Sequence, residues 1–276
     1  MLLTRYETNR DFCAIVQFIE GMDEELAAID KLLSDKKLFQ LLKADLSQRY
    51  PQTTKTGRNS TPVEVILRIL VLKHLRSLSY EKTIRNVRES IILRQFCRVY
   101  FNPLPSKSTL IRWSNLIKAE TLRQLNQRLT QIATQLKITQ GRKLRTDGTV
   151  VETNIHFPSD KSLLTDSVRV LSRLLRAARK LLLHQNCSAK RQIILPKSGY
   201  KSHQRQQREK QRYFRQGRYW HNGVEGRISY LKRGFRFKRC LYHGELGFER
   251  WVGWGVVAHN LTVIARTLVK KTQSSV

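Results

Sequence analysis

The run TPVEVILRILVLKHL, residues 61–75, constrains the fold most, because nearly every face of the helix that it predicts is apolar. Thr61 and Glu64 have the spacing of a capping box, and Pro62 stands at the first helical position, which proline favours. A helix that is hydrophobic all round is stable only where other elements surround it. The sequence therefore predicts a helical domain with this helix at its centre.

Helical patterns continue on both sides of this run. Residues 23–48 repeat apolar side chains at steps of three and four, Ser79 predicts the start of another helix, and a long amphipathic stretch begins at Thr109. Short helices joined by tight turns, with basic residues such as Arg112 on their outer faces, are typical of a helix-turn-helix DNA-binding unit. Small helical bundles share this pattern, so both interpretations stay open.

The charge of the chain limits its partners. It has 52 Lys and Arg against 21 Asp and Glu, a net charge of +31, and no aspartate after Asp166. A protein this basic usually binds a polyanion, most often nucleic acid; a ribosomal-type or membrane-surface protein is the alternative. The basic segment 186–222 interleaves cations with aromatic residues. This pattern is typical of a phosphate-contacting surface and equally of a solvated basic loop or helix.

Cysteine spacing and hydropathy predict a cytoplasmic protein without a membrane partner. The four cysteines are far apart and form no CxxC pair, so neither a zinc site nor a disulfide framework is indicated. The N-terminal residues lack the apolar core of a signal peptide. The apolar run WVGWGVVAHNLTVIA is interrupted by His259 and Asn260 and is short for a membrane span, so we expect a buried helix there.

Two carboxylates stand where the local pattern changes. Asp147 ends a β-prone run in KLRTDGTVVETNIHF, and Gly148 predicts a tight connection between the two strands of a hairpin. Further on, Asn222 and Glu225 have the spacing of a capping box at the start of a helix. Taken alone, Asp147 is an ordinary turn residue and Glu225 an ordinary capping residue.

Several blocks of the chain resemble bacterial insertion-sequence transposases of the DDE type. TDGTVVETNIHFPSDKSLL resembles their first catalytic strand, and WHNGVEGRISYLKRGFRFKRC with GELGFERWVGWGVVAHNL resembles their C-terminal end. TPVEVILRILVLKHLRSLSYEKTIRNVRES, LRQFC and STLIRW resemble their N-terminal helical domain. The resemblance covers most of the chain, from about residue 60 to 266, in ordered blocks.

This resemblance implies a ribonuclease-H-like catalytic domain in which two aspartates and a glutamate hold two Mg²⁺ ions for strand cleavage and transfer at element ends. Asp147 matches the first aspartate, and Glu225 matches the glutamate. Lys232 matches a lysine two turns after the glutamate that approaches DNA. We expect the further DNA contacts to come from basic residues near this helix and on the N-terminal helices, namely Arg227, Arg233, Arg236 and Arg112.

The match is incomplete, because the block that carries the second aspartate in this family is missing. Arg218 and His221 also replace a tyrosine and an arginine that many relatives carry before the glutamate, and Glu209 is only a distant substitute for the missing aspartate. We therefore predict a transposase whose cleavage activity is impaired by an internal deletion. The alternative is a non-catalytic remnant that binds element ends.

The expected fold is mainly α with a small β part. Residues 1–136 are predicted to form a helical, helix-turn-helix-like DNA-binding domain, and residues 137–276 a truncated ribonuclease-H-like domain. The predicted partner is double-stranded DNA at the element ends, and the resemblance implies homo-oligomers acting on paired ends. The protein would then be associated with the bacterial nucleoid.

Overall fold

The computed structural model describes residues 2–18, 21–49, 59–139, 151 and 199–274. Within these ranges the chain is mainly helical and contains no β-strand, which confirms the mainly α prediction. The predicted hairpin around Asp147 lies outside the described residues except for Val151. That residue packs against a small apolar cluster that includes Phe235 and Trp251.

Eleven α-helices occur in the described ranges. In chain order they are α1 (Arg10–Gln17), α2 (Glu24–Leu32), α3 (Lys36–Leu46), α4 (Val63–Leu75), α5 (Tyr80–Glu89), α6 (Ile91–Phe96), α7 (Lys107–Leu116), α8 (Ala119–Gln135), α9 (His203–Lys210), α10 (Arg212–Gly234) and α11 (Gly244–Gln273).

Two compact units share these helices. Of the described residues, the first unit contains 2–139, Val151 and 229–274, with the gaps given above, and the second contains 199–228. Helix α10 begins in the second unit and ends in the first. The boundary predicted between residues 136 and 137 stays a prediction.

Helix α4 is the central helix of the first unit, as the sequence predicted. Twelve of its thirteen residues are buried, and it contacts α3, α5, α7 and α11. The predicted threonine cap is wrong, because Pro62 occupies the N-cap position and no side chain caps the helix. The carbonyl oxygens of Leu3 and Thr4 instead accept hydrogen bonds from the backbone N–H groups of Val63 (2.9 Å) and Glu64 (3.0 Å).

The buried arginine of α4 is satisfied by carboxylates. Arg68 is fully buried; its Nη1 lies 2.6 Å from Asp30 Oδ1 of α2, and its Nε lies 3.0 Å from Glu64 Oε1. A buried charge is tolerated only when it is paired and hydrogen-bonded. This ion pair therefore lets a charged residue occupy the centre of the helical core.

Helix α11 completes the core of the N-terminal helices. It packs against α2, α4 and α8 and buries Trp254, Ala258 and Leu261 completely. By length and composition alone, this helix is long and apolar enough to cross a membrane. In the structure its most buried side chains lie in the helical core, which confirms the predicted buried helix.

Helix boundaries differ from the sequence predictions at three places. The periodic stretch 23–48 is broken at Ser34 and Asp35, because Asp35 caps a new helix by accepting from the Lys37 N–H. The stretch that begins at Thr109 is divided between α7 and α8. Asn222 does not cap a helix but lies in the middle of α10, so the predicted capping box at Glu225 is wrong.

Candidate nucleic-acid interface

The segment that follows α10 alternates buried and exposed side chains. We name residues 235–239, with the sequence FRFKR, the basic turn. Phe235 and Phe237 are buried, whereas Arg236, Lys238 and Arg239 are exposed. The two phenylalanines therefore anchor the turn and leave its cations facing solvent.

Close packing against α11 holds the Phe237 anchor. Its ring lies 4.8 Å from the ring of Trp251, measured between centroids. A Cβ atom at Gly255 would lie 2.0 Å from Phe237 Cε2, so only glycine lets α11 approach the ring this closely. The position of Phe237 thus depends on the absence of a side chain at residue 255.

Phe235 is the second anchor of the basic turn. Its ring contacts Tyr230 of α10 and His259 of α11, each with 5.7 Å between ring centroids. Between the two anchors, Arg236 adopts a left-handed backbone conformation with φ of 57°. Such a conformation is uncommon for a residue other than glycine and persists where neighbouring contacts fix it.

Two hydrogen bonds hold the residues on either side of the basic turn, one from Lys73 of α4 and one from Ser77, which follows α4. Ser77 Oγ donates to the carbonyl oxygen of Gly234 at 2.9 Å, and Lys73 Nζ donates to Tyr242 Oη at 3.2 Å. The basic turn is therefore fixed to the central helix as well as to α11. Its backbone needs little ordering when the cations bind a ligand, and this lowers the entropic cost of binding.

The charge around the basic turn has one sign. Between Glu225 and Glu245 the chain carries six Lys and Arg residues and no acidic residue. Within the described part of the chain, none of these six side chains forms an ion pair. Such a cluster attracts the phosphate backbone of nucleic acid. The six cations are Arg227, Lys232, Arg233, Arg236, Lys238 and Arg239.

The structure brings three of the predicted DNA-contacting residues to the end of α10. Lys232 is half-buried, whereas Arg233 and Arg236 are exposed, and Arg233 Nη2 donates to Ser229 Oγ at 2.8 Å. Arg227 is exposed on α10 in the second unit, and Arg112 is exposed on α7.

The predicted catalytic pair is only half described. Glu225 is exposed on α10 and forms no ion pair with another described residue, whereas Asp147 lies outside the described residues. Among the residues that the structure describes, no group of three or more His, Cys, Asp or Glu side chains could hold a metal ion. Glu209, the distant substitute, contacts Lys201 (2.6 Å) and Arg205 (2.9 Å).

Sequence reasoning missed Lys238, Arg239 and Lys73. The alternation in FRFK could have revealed Lys238, because it predicts that one side of the segment is buried, whereas the exposed Arg239 breaks the alternation. Lys73 gave no such signal, since it lies inside an apolar run. Burial, together with the positive charge of Arg236, lowers the pKa of Lys73 to about 8.

Comparison with protein families gives one match. Residues 14–116 match the family described as Transposase domain (DUF772). This match supports a transposase-family protein. The matched region runs from the end of α1 to the end of α7 and so includes the central helix α4 and Arg112.

The same match supports DNA as a partner in general and DNA recombination as the process. It covers fewer than half of the residues and ends before α8. Comparison with curated proteins and with solved structures finds no match.

Proposed function

We propose that this chain is a DNA transposase of the DDE type, encoded by an insertion sequence, and that the basic turn binds the phosphate backbone at the ends of the element. The observation that carries the proposal is the attachment of an exposed, single-sign cationic turn to the central helix of a matched transposase domain. Lys232 and Arg233 extend the same cationic surface onto the last turn of α10.

The chemistry of the basic turn favours DNA over a protein partner. Its cations have no acidic neighbours in the sequence and no ion pairs among the described residues. Contacts of this kind position a protein on DNA without reading its sequence. Readout of the element ends then falls to other surfaces, for which α7 with Arg112 is our candidate.

Strand cleavage is assigned to Asp147 and Glu225. Both side chains supply the hard oxygen ligands that Mg²⁺ prefers. When bound by such carboxylates, two metal ions stabilise the charge that develops on the attacking and leaving oxygens of a phosphodiester. Glu225 fits this role because its carboxylate is exposed and forms no ion pair with another described residue. Lys232, seven residues later on α10, is a candidate to orient the DNA strand.

A non-catalytic DNA-binding remnant is the second candidate. The observation that favours it is the absence of any aspartate after Asp166, which leaves no residue for the second aspartate in its usual order. Loss of one ligand from a two-metal site removes electrostatic stabilisation on which catalysis depends. In this case the protein binds the element ends and blocks them without cutting.

A plasmid assay separates the two candidates. A supercoiled plasmid carrying the ends of the element is incubated with the protein in Mg²⁺ or in Mn²⁺. The Asp147→Ala and Glu225→Ala variants are compared with Glu245→Ala, a matched change of an exposed carboxylate. Nicking that both catalytic variants lose and Glu245→Ala keeps supports a cutting transposase. Salt-sensitive binding without nicking favours the remnant, and the absence of binding contradicts both.

A further inference from the structure

A buried lysine lies behind the basic turn. Lys73 is 7% exposed, and its Nζ lies 4.6 Å from the ring centroid of Tyr80 and 5.4 Å from that of Tyr242. The same atom donates to Tyr242 Oη at 3.2 Å. Among the described residues no carboxylate pairs with it, so two aromatic rings and one hydroxyl stabilise its charge.

A chain of hydroxyl groups extends this cluster across three helices. The Tyr80 and Tyr242 hydroxyl oxygens lie 3.0 Å apart, and Tyr80 Oη donates to Ser114 Oγ at 2.9 Å. Lys73 belongs to α4, Tyr80 to α5 and Ser114 to α7, whereas Tyr242 follows the basic turn. The cluster therefore connects the transposase domain to the segment that presents Arg236, Lys238 and Arg239.

Lys73 is poised to change its charge near neutral pH, because burial and the positive charge of Arg236 lower its pKa to about 8. Burial and the charge of Lys73 keep the pKa of His74 well below its usual range. Burial raises the pKa values of Cys240 and Tyr242. The charged and titratable groups around the cluster are His74 of α4, Tyr80 of α5, Arg236, Cys240 and Tyr242 of the segment after α10, and Arg250 of α11.

We propose that the Lys73–Tyr80–Tyr242 cluster couples DNA binding at the basic turn to the uptake of a proton by Lys73. The inference rests on the proposed function. In the free protein the positive charge of Arg236 opposes a charge on Lys73. A DNA phosphate bound by Arg236 offsets that repulsion, so the charged amine is favoured in the complex. By linkage, protonation of Lys73 strengthens DNA binding to the same extent.

The coupling predicts a pH dependence with a definite sign. Below pH 7 Lys73 is protonated both in the free protein and in the DNA complex. Its titration therefore has little effect on DNA affinity in this range. As the pH rises above 8, the complex keeps more of the proton than the free protein does, so affinity falls. If Lys73 stays charged in the complex throughout, affinity falls about tenfold between pH 7 and pH 9.

Isothermal titration calorimetry of the full chain with a DNA duplex tests the coupling. Titrations at pH 8 in two buffers of different ionisation enthalpy give the number of protons taken up. We expect uptake of up to about half a proton by the wild type, since Lys73 is then half neutral when free. The Lys73→Met variant should lose this uptake. Lys37→Met, which removes an exposed lysine of α3, should keep it.

A second variant tests the positioning role of the cluster. Tyr242→Phe keeps the ring but removes the oxygen that accepts from Lys73 Nζ, so the charged amine is less favoured in the free protein. The pH of maximal proton uptake should therefore shift downward. If Tyr242 had a purely structural role, Tyr242→Phe would change DNA affinity without moving the pH of maximal proton uptake.

Two results overturn the coupling. One is equal proton uptake by the wild type and Lys73→Met while binding stays salt-sensitive; this leaves the proposed function standing. The other is a wild-type protein that binds no DNA, which contradicts the proposed function as well.

Discussion

At the scale of single residues, Gly255 and Lys73 determine how the basic turn is held. Gly255 admits the Phe237 ring to the surface of α11, where any side chain would collide with it. Lys73 ties Tyr242 to the central helix but carries a charge that burial disfavours. Both residues therefore help to hold the basic turn in place, and each does so at some cost in the stability of the folded protein.

Replacing Gly255 by alanine should displace Phe237. The added methyl group overlaps the ring, and overpacking of this kind costs about 1–3 kcal/mol in the free energy of unfolding. DNA affinity should fall as well, because the turn loses an anchor. Chemical denaturation and fluorescence anisotropy measure the two effects.

The matched control is Gly226→Ala on α10, where an added Cβ meets no atom within 4 Å. This variant should be neutral or more stable by about 0.5–1 kcal/mol, since alanine favours a helix over glycine. A Gly255→Ala protein with unchanged stability and unchanged DNA affinity would contradict the packing described for Phe237.

Lys73→Met should raise stability at neutral pH. The pKa of Lys73 in the folded protein, about 8, lies below its ordinary value of 10.5. The unfolded chain therefore binds more protons between these values, and stability rises with pH across that window. Removing the charge should add up to about 3 kcal/mol below pH 8.

The comparison requires denaturation curves of both proteins from pH 7 to pH 10. The difference between the two proteins should shrink as the pH rises, because the wild type loses its buried charge. A constant difference across this range would show that Lys73 does not titrate there.

At the scale of helices, the groups that cap the start of a helix can belong to distant parts of the chain. The carbonyl groups of Leu3 and Thr4 complete the start of α4, and Asp45 of α3 completes the start of α8. Asp45 accepts from the Lys118 N–H at 2.9 Å and from the Thr121 hydroxyl. Such caps join elements that are far apart in sequence.

Asp45→Ala should lower the free energy of unfolding by about 1–3 kcal/mol, because it leaves a buried hydroxyl and a helix N–H without their acceptor. Glu120→Ala is the control, since Glu120 is an exposed carboxylate in the first turn of α8, the helix that Asp45 caps. Thermal and urea denaturation of both variants check the prediction. Equal stability of the two would contradict a capping role for Asp45.

Sequence patterns predicted these helices best where the signal is local. Ser79 caps α5 as expected, with its Oγ accepting from the Lys82 N–H at 3.2 Å. The apolar run of α4 correctly indicated the core. The cap of α4 was missed because its acceptors lie about sixty residues away and are backbone atoms, which leave no mark on side-chain patterns. Asn222 was misplaced because a capping-box spacing also occurs inside long helices.

At the scale of the whole molecule, the first unit joins both ends of the chain. The region that matches the transposase-domain family forms the N-terminal helices of this unit, α11 completes their core, and the basic turn lies between α10 and α11. Sequence analysis assigned α11 to a catalytic domain, because its residues resemble the C-terminal end of a transposase family. Its packing against α2, α4 and α8 depends on long-range contacts that a linear pattern does not show.

The candidate site was predicted in part. Lys232 was found from the resemblance, Arg233 and Arg236 were expected as basic residues near the same helix, and the structure places all three on or beside the basic turn. The catalytic assignment of Asp147 and Glu225 stays a prediction, as does the ribonuclease-H-like fold around them. What the sequence could not supply is the anchoring of the turn, which arises from Phe237, Gly255 and the helix α4.

The most direct test of the central claim is the salt dependence of DNA binding by the intact protein. The wild type is compared with Arg236→Ala/Lys238→Ala/Arg239→Ala and with Lys31→Ala/Lys36→Ala/Lys37→Ala, which removes three exposed lysines of α2 and α3. Fluorescence anisotropy with a labelled duplex gives the dissociation constant at several salt concentrations.

If the basic turn binds phosphates, the first triple variant should lose affinity, and its slope of log K against log salt should be shallower by about 2 to 3. The second variant should keep the wild-type slope. Equal slopes in all three proteins would contradict the account, because DNA would then bind elsewhere.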